Sequence, residues 1–150
     1  MIFADLILPC LEASSKKHAL KLVTDQAVTL FGGDEETVLA SLIEREKIGT
    51  TGIGHGAAIP HIKLPNITKM LGILATLTSP VDYDSIDGQP VDIIFMLLAP
   101  VENKTTQHLK MLAYISRFLK DEKTRMALRQ AKTAEQISVL MDDWSKTQAA

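Results

Sequence analysis

Val91-Asp92-Ile93-Ile94-Phe95-Met96-Leu97-Leu98-Ala99 is an almost unbroken apolar run with a proline on each side, Pro90 and Pro100. A strand with one wet face alternates apolar and polar residues, so a continuous run suits a strand buried on both faces. A buried helix gives a similar pattern, but the short length and the flanking prolines favour the strand. A strand covered on both faces needs helices above and below it. That requirement sets the fold class.

Upstream of this run, residues 69–78 read as a second strand, ended by Ser79-Pro80. Residues 81–90 are turn-rich, with Asp87-Gly88 as the strongest turn signal. Residues 2–11 form a short apolar opening piece, expected as an extended edge segment ending at Pro9. A helix is expected from Ser14, capped by Ser14 or Ser15, with Leu20, Val23, Ala27, Leu30 and Phe31 on its apolar side and Gly32-Gly33 as its stop. Asp34 caps a second helix through Lys47, with Val38, Leu39, Leu42 and Ile43 inward.

Downstream, residues 105–120 read as a helix with Leu109, Leu112, Ile115, Phe118 and Leu119 on one side. Residues 122–131 suggest another short helix. Thr133-Ala134-Glu135-Gln136 has capping-box spacing and precedes Ile137, Leu140, Met141 and Trp144 at helical intervals, with residues 145–150 as a frayed tail. The expectation is a single α/β domain over residues 1–150, a central mixed sheet sandwiched by helices.

The chain has 150 residues, 46% hydrophobic and 23% charged, which suits a globular domain with a proper core. A net charge of −2 argues against neutralising a nucleic-acid backbone, which needs a basic face. With Cys10 the single cysteine, no intramolecular disulfide can form and no cysteine-rich metal site exists. The opening residues include Asp5 and lack the basic start of a signal peptide, and no apolar run approaches the ~20 residues of a membrane span. A cytoplasmic protein without direct membrane insertion is expected.

The stretch Gly49-Thr50-Thr51-Gly52-Ile53-Gly54-His55-Gly56-Ala57-Ala58-Ile59-Pro60-His61 carries the candidate chemistry. Glycines permit positive φ and close approach to a ligand, and Pro60 pushes Ile59 toward an extended conformation. His61 is thereby held by constrained backbone. By pattern alone it is either a loop histidine bonded to backbone or a nucleophile. Gly-x-Ser-x-Gly, Walker and dinucleotide signatures are absent, which removes the main support for hydrolase, ATPase and Rossmann readings.

Extended back through Glu44-Arg45-Glu46-Lys47-Ile48, this sentence resembles the active-site signature of the fructose/mannitol-type IIA domains of the bacterial sugar phosphotransferase system. It is most similar to the free-standing nitrogen-regulatory branch. Asp87-Gly88-Gln89-Pro90-Val91-Asp92-Ile93-Ile94-Phe95 and His108-Leu109-Lys110-Met111-Leu112 extend the resemblance over most of the chain. It implies the same α/β fold and a phosphoryl-transfer role in which His61 carries the phosphoryl group on its tele nitrogen.

His108, by pattern alone an exposed histidine beside Lys110, would then support the phosphoryl group or His61. Arg45, whose charge already suits a helix C-terminus, would meet the phosphoryl oxygens. His55 would shape the loop, and His18 is expected to be merely solvated. The family usually has glycine after the active histidine; Ile62 stands there, and with Ile53 and Ile59 it is expected to form an apolar rim on the surface. No cofactor or metal is implied: His55 and His61 are not an i,i+4 pair, and nothing nearby completes a tetrahedron.

The implied phosphoryl donor is an HPr-like phosphocarrier. The implied downstream partner is a regulated kinase or transporter, or a IIB domain if the chain serves sugar transport. A non-catalytic binding module is the third reading.

Overall fold

The computed structural model describes residues 4–101 and 105–149. In chain order these residues form β1 (Leu6–Leu11), α1 (Lys16–Phe31), α2 (Glu35–Ile48), β2 (Gly52–Gly54), β3 (Ala57–Ala58), β4 (His61–Leu64), β5 (Leu71–Val81), β6 (Val91–Pro100), α3 (Thr105–Lys120), α4 (Glu122–Gln130) and α5 (Ala134–Ala149). Residues 2 and 3 of the expected opening segment and residue 150 of the expected tail lie outside the described residues.

Alternation along β6 explains its composition. Ile93, Phe95 and Leu97 pack with Ile115 and Phe118 of α3, Leu128 of α4 and Ile137 of α5. Met96 and Leu98 face the other way, against Leu20 and Val23 of α1 and Val38 and Leu42 of α2. Successive side chains of a strand point to opposite faces, so covering both leaves no position that tolerates a polar residue well. Asp92, at the strand's start, is only partly buried.

The sheet runs β1-β5-β6-β3-β2, with β4 also pairing β6. β5 is antiparallel to β6, whereas β1 pairs in parallel with β5. β3 and β4 both run parallel to β6, at Ile93–Ile94 and Leu97–Pro100 respectively. They form one track along the same edge of β6, interrupted at Ile59-Pro60. Pro60 has no N–H, yet its carbonyl still accepts from Leu97 N at 2.9 Å. Parts of the glycine-rich stretch, expected as a loop, are therefore short strand, at Gly52–Gly54, Ala57–Ala58 and His61.

Two further boundaries differ from expectation. β5 does not stop at Ser79-Pro80 but reaches Val81, with a register shift between Thr76 and Val81 that accommodates the proline. β1 likewise passes Pro9 to Leu11, with its shift between Leu8 and Leu11 and Cys10 at φ +56°. The displaced Cys10 N–H donates to Thr76 Oγ1 at 2.9 Å, which replaces the lost ladder bond.

The helix caps follow local chemistry. Ser15 caps α1, Gly32 ends it at φ +71°, and Asp34 caps α2, which runs to Ile48. Thr133 Oγ1 accepts from Gln136 N, and Gln136 Oε1 accepts from Thr133 N, which completes the capping box. α4 ends at Gln130, with Ala131 as its C-cap.

Helical spacing misplaced two leucines. Leu30 is 43% and Leu109 61% exposed, because each lies past the edge of the buried stripe. Residues 145–149 are not a frayed tail but the last turn of α5. Ser145 is buried and lies 2.8 Å from the Tyr114 hydroxyl, while the Trp144 ring packs edge-on against Phe118 and Tyr114.

Candidate functional site

β2 and β3 form a hairpin whose turn residues, His55 at φ +57° and Gly56 at φ +83°, are both left-handed. Positive φ at both central positions is what a two-residue hairpin turn with right-handed strand twist requires. Gly56 is also sterically confined: a Cβ there would collide with Arg129 Nη2 and sit 3.2 Å from Asp92 Oδ1 and 3.3 Å from Pro90 O.

The turn is clamped from two sides. Asp87 Oδ2 accepts from His55 N at 2.9 Å, and backbone N–H bonds from His55 and Gln89 hold the Asp87 carboxyl below its usual pKa. Arg129 bonds Asp92 through Nε at 3.0 Å and donates from Nη2 to His55 O at 2.7 Å. His55 thus acts through its backbone, as a turn residue.

His61 opens β4. Ile62 and Leu64 belong to the core cluster of α1 and α2, so the intervening His61 and Lys63 turn to the opposite face, toward α3. Ile62 is therefore buried, as is Ile59, and the expected surface rim of isoleucines does not form. Alternation overrides the loop picture on which that rim rested.

His61 Nδ1 lies 2.7 Å from the Ile59 carbonyl oxygen. A carbonyl only accepts, so Nδ1 carries the proton and the lone pair of the neutral ring is on Nε2. The neighbouring ring is that of His108, in the first turns of α3, edge-on with centroids 5.8 Å apart and an interplanar angle of 77°. His108 is 8% exposed, and its Nε2 is buried without a hydrogen-bond partner among the described residues. Burial, then the charges of His61 and Lys63, push its pKa below the ordinary 6.5. His108 is thus not the exposed histidine that pattern alone suggested. Its ring lies edge-on beside the half-buried His61, whose Nε2 carries the lone pair of the neutral ring.

Arg45 is placed differently. It sits in α2, which packs on the other sheet face, and donates from Nη1 to Gly49 O at 3.0 Å. Among the described residues no hydrogen bond joins it to His61. His18 is not merely solvated: its Nδ1 accepts from Ser14 N at 3.0 Å and helps to cap α1.

The sequence reading missed the group beneath the hairpin. Glu46 Oε1 meets Lys16 Nζ at 3.0 Å and Thr51 N at 3.0 Å, and its Oε2 accepts from Thr51 Oγ1 at 2.5 Å. Thr51 Oγ1 also lies 3.0 Å from the Tyr83 hydroxyl, whose pKa is raised by burial and by Glu46. Glu46 lay inside the quoted signature. Its partner Lys16, and Tyr83 beyond Thr51, are too distant in the chain for any periodic pattern to show them.

Comparison with known proteins covers nearly the whole chain. Residues 1–143 match the model of the family described as phosphoenolpyruvate-dependent sugar phosphotransferase system, EIIA 2. A nitrogen regulatory protein of Bradyrhizobium diazoefficiens is 45% identical over 137 residues, covering 91% of this chain and 89% of that protein. The crystal structure of nitrogen regulatory protein IIA-Ntr from Neisseria meningitidis superposes with a TM-score of 0.84 at 30% identity, covering 93% of this chain and 94% of that one. The fold is also shared with enzyme IIAMtl of Escherichia coli, solved in complex with phosphorylated enzyme IIBMtl, at a TM-score of 0.76 and 17% identity over 95% of this chain and 98% of that one.

Proposed function

The chain belongs to the EIIA 2 family of the phosphoenolpyruvate-dependent sugar phosphotransferase system, and on that premise we propose that it is a phosphocarrier of the nitrogen-regulatory branch. His61 accepts a phosphoryl group from a phosphorylated HPr-like protein in the cytoplasm. Its phosphorylation state then controls binding to a regulated kinase or transporter. The observation that carries this reading is the His61 Nδ1 to Ile59 O bond of 2.7 Å, which leaves Nε2 as the nucleophile.

In the transfer, a P–N bond forms at His61 Nε2 as the donor's bond to phosphorus breaks, and the Nδ1 proton stays against the Ile59 carbonyl. The incoming group brings close to two negative charges. His108, whose Nε2 has no partner among the described residues, supplies a ring nitrogen beside the phosphoryl oxygens. Arg45, held to Gly49 O from α2 on the other sheet face, has further N–H donors, and their reach to the same oxygens is the part of this reading that an Arg45→Gln variant tests.

The test is incubation with phosphoenolpyruvate, Enzyme I and HPr from each branch, following label into this protein. Label on His61, together with a partner protein held by His61→Ala and lost by His61→Glu, supports the regulatory reading. Onward transfer to a IIB domain with no partner sensitive to the two variants assigns the chain to sugar transport instead. A protein that takes no label from any donor is a binding module.

A further inference from the structure

We infer that Glu46, held by Lys16, is a positioning residue for His61, acting through Thr51 and the Ile59 backbone; this rests on the phosphocarrier reading for its kinetic consequence. The connection is continuous. Glu46 takes both the N–H and the hydroxyl of Thr51, at 3.0 and 2.5 Å. Thr51 O accepts from Ile59 N at 3.0 Å, and Ile59 O faces His61 Nδ1 at 2.7 Å. Each link fixes the next by geometry, from a charge in α2 to the ring that must present its lone pair.

The cost of this arrangement argues that it does more than hold the fold together. The Glu46 side chain is 6% and that of Lys16 19% exposed. An ion pair taken out of water gains little stability over apolar groups of the same volume, so its retention under a glycine-rich hairpin points to a need for specific geometry. The pair is also built into a frame. Lys16 Nζ donates to Tyr83 O at 3.2 Å and lies 4.3 Å from the centre of its ring, and Thr50 Oγ1 donates to the same carbonyl at 3.3 Å.

Thr51 is thereby fixed on three sides before its carbonyl receives Ile59. On the far side of Ile59, Pro60 fixes its own φ, and its carbonyl accepts from Leu97 on the central strand. The Ile59 carbonyl is left one orientation, toward His61.

A purely structural network would change stability when cut but leave the ring's tautomer alone. The test therefore reads the tautomer. In wild type, 15N NMR of histidine-labelled protein should show His61 with a protonated Nδ1 and a bare Nε2. Thr51→Val keeps the shape and the N–H but removes the hydroxyl, and Glu46→Gln removes the charge. Both should shift the His61 ring toward a mixture of tautomers and slow phosphoryl acceptance by about ten- to a hundredfold, the range expected when a reacting group is misplaced. Thr51→Ser, which retains the hydroxyl, should restore both signals.

A wild-type tautomer and rate in folded Thr51→Val and Glu46→Gln would overturn the inference. Should Glu46→Gln not fold, the Thr51→Val and Thr51→Ser pair decides alone. Failure of the wild-type protein to accept phosphate would count against the phosphocarrier reading only, and the tautomer comparison would still decide the link.

Discussion

The two ends of the Thr51-to-His61 segment solve opposite problems. At Thr51 every polar side-chain group is met: the hydroxyl by Glu46 and Tyr83, the carboxylate by Lys16 and by Thr51 itself. At His61 one ring nitrogen is bonded to a carbonyl and the other carries the lone pair, and the adjacent His108 keeps a buried nitrogen without a partner among the described residues. Buried polar groups are normally satisfied, and leaving one unsatisfied costs on the order of 1–3 kcal/mol. The satisfied end holds geometry. The unsatisfied end is where the proposed phosphoryl group would be received.

That contrast can be broken most directly at the open end. His61→Ala should abolish acid-labile, alkali-stable phosphate on the protein while leaving the fold intact, as read by labelling and by thermal melting. Persistence of full labelling on another histidine would remove His61 from its role.

Arg45→Gln and His108→Ala come next. Each should remain folded yet transfer about a hundredfold more slowly, equivalent to ~3 kcal/mol for one lost stabilising donor. Rates equal to wild type in both would show that neither side chain meets the phosphoryl group. A loss in His108→Ala alone would fit Arg45 being fully occupied with Gly49 O.

On the anchored side the expected effects are on stability. Gly56→Ala places a Cβ against Arg129 at φ +83° and should cost roughly 2 kcal/mol by urea denaturation, within the range for a non-glycine residue held in a strained region. An unchanged midpoint would mean that the hairpin turn relaxes freely and is not held by Arg129 and Asp92.

The smallest effect is the pH dependence of stability. The folded state lowers the His108 pKa below its ordinary 6.5, so the unfolded chain binds the proton first as pH falls. The contribution of the neutral ring is complete above about pH 6.5 and is lost progressively below it, down through the folded pKa. Urea midpoints measured on either side of that window should fall on acidification in wild type and fall less in His108→Gln. Equal slopes would place His108 in a wetter setting than its burial indicates.

Much was legible where the cause is local. Alternation and apolar continuity in residues 91–99, the caps at Ser15, Asp34 and Thr133, and the stop at Gly32 all arise from interactions within a few residues, so the chain displays them directly. The constraint of Ile59-Pro60 on His61 is local too, and its carbonyl partner is only two residues away. The strands through Pro9 and Pro80 were misjudged for a different reason. A proline disfavours a strand locally, but a neighbouring strand can absorb it with a register shift.

By itself, then, the sequence determined that a strand is buried between two helical layers and that His61 is held in a constrained backbone. Both follow from side-chain pattern and dihedral restriction, which need no partner distant in the chain. Only the tertiary structure decided which face each residue of β4 presents, turning Ile62 into the core and His61 toward His108. Pairing to β6 sets that register, and a shift of one residue would exchange the two side chains. Only the tertiary structure likewise joined Lys16, Glu46, Thr51 and Tyr83, because a buried charge recruits whatever donors the packed helices bring within about 3 Å, regardless of their separation along the chain.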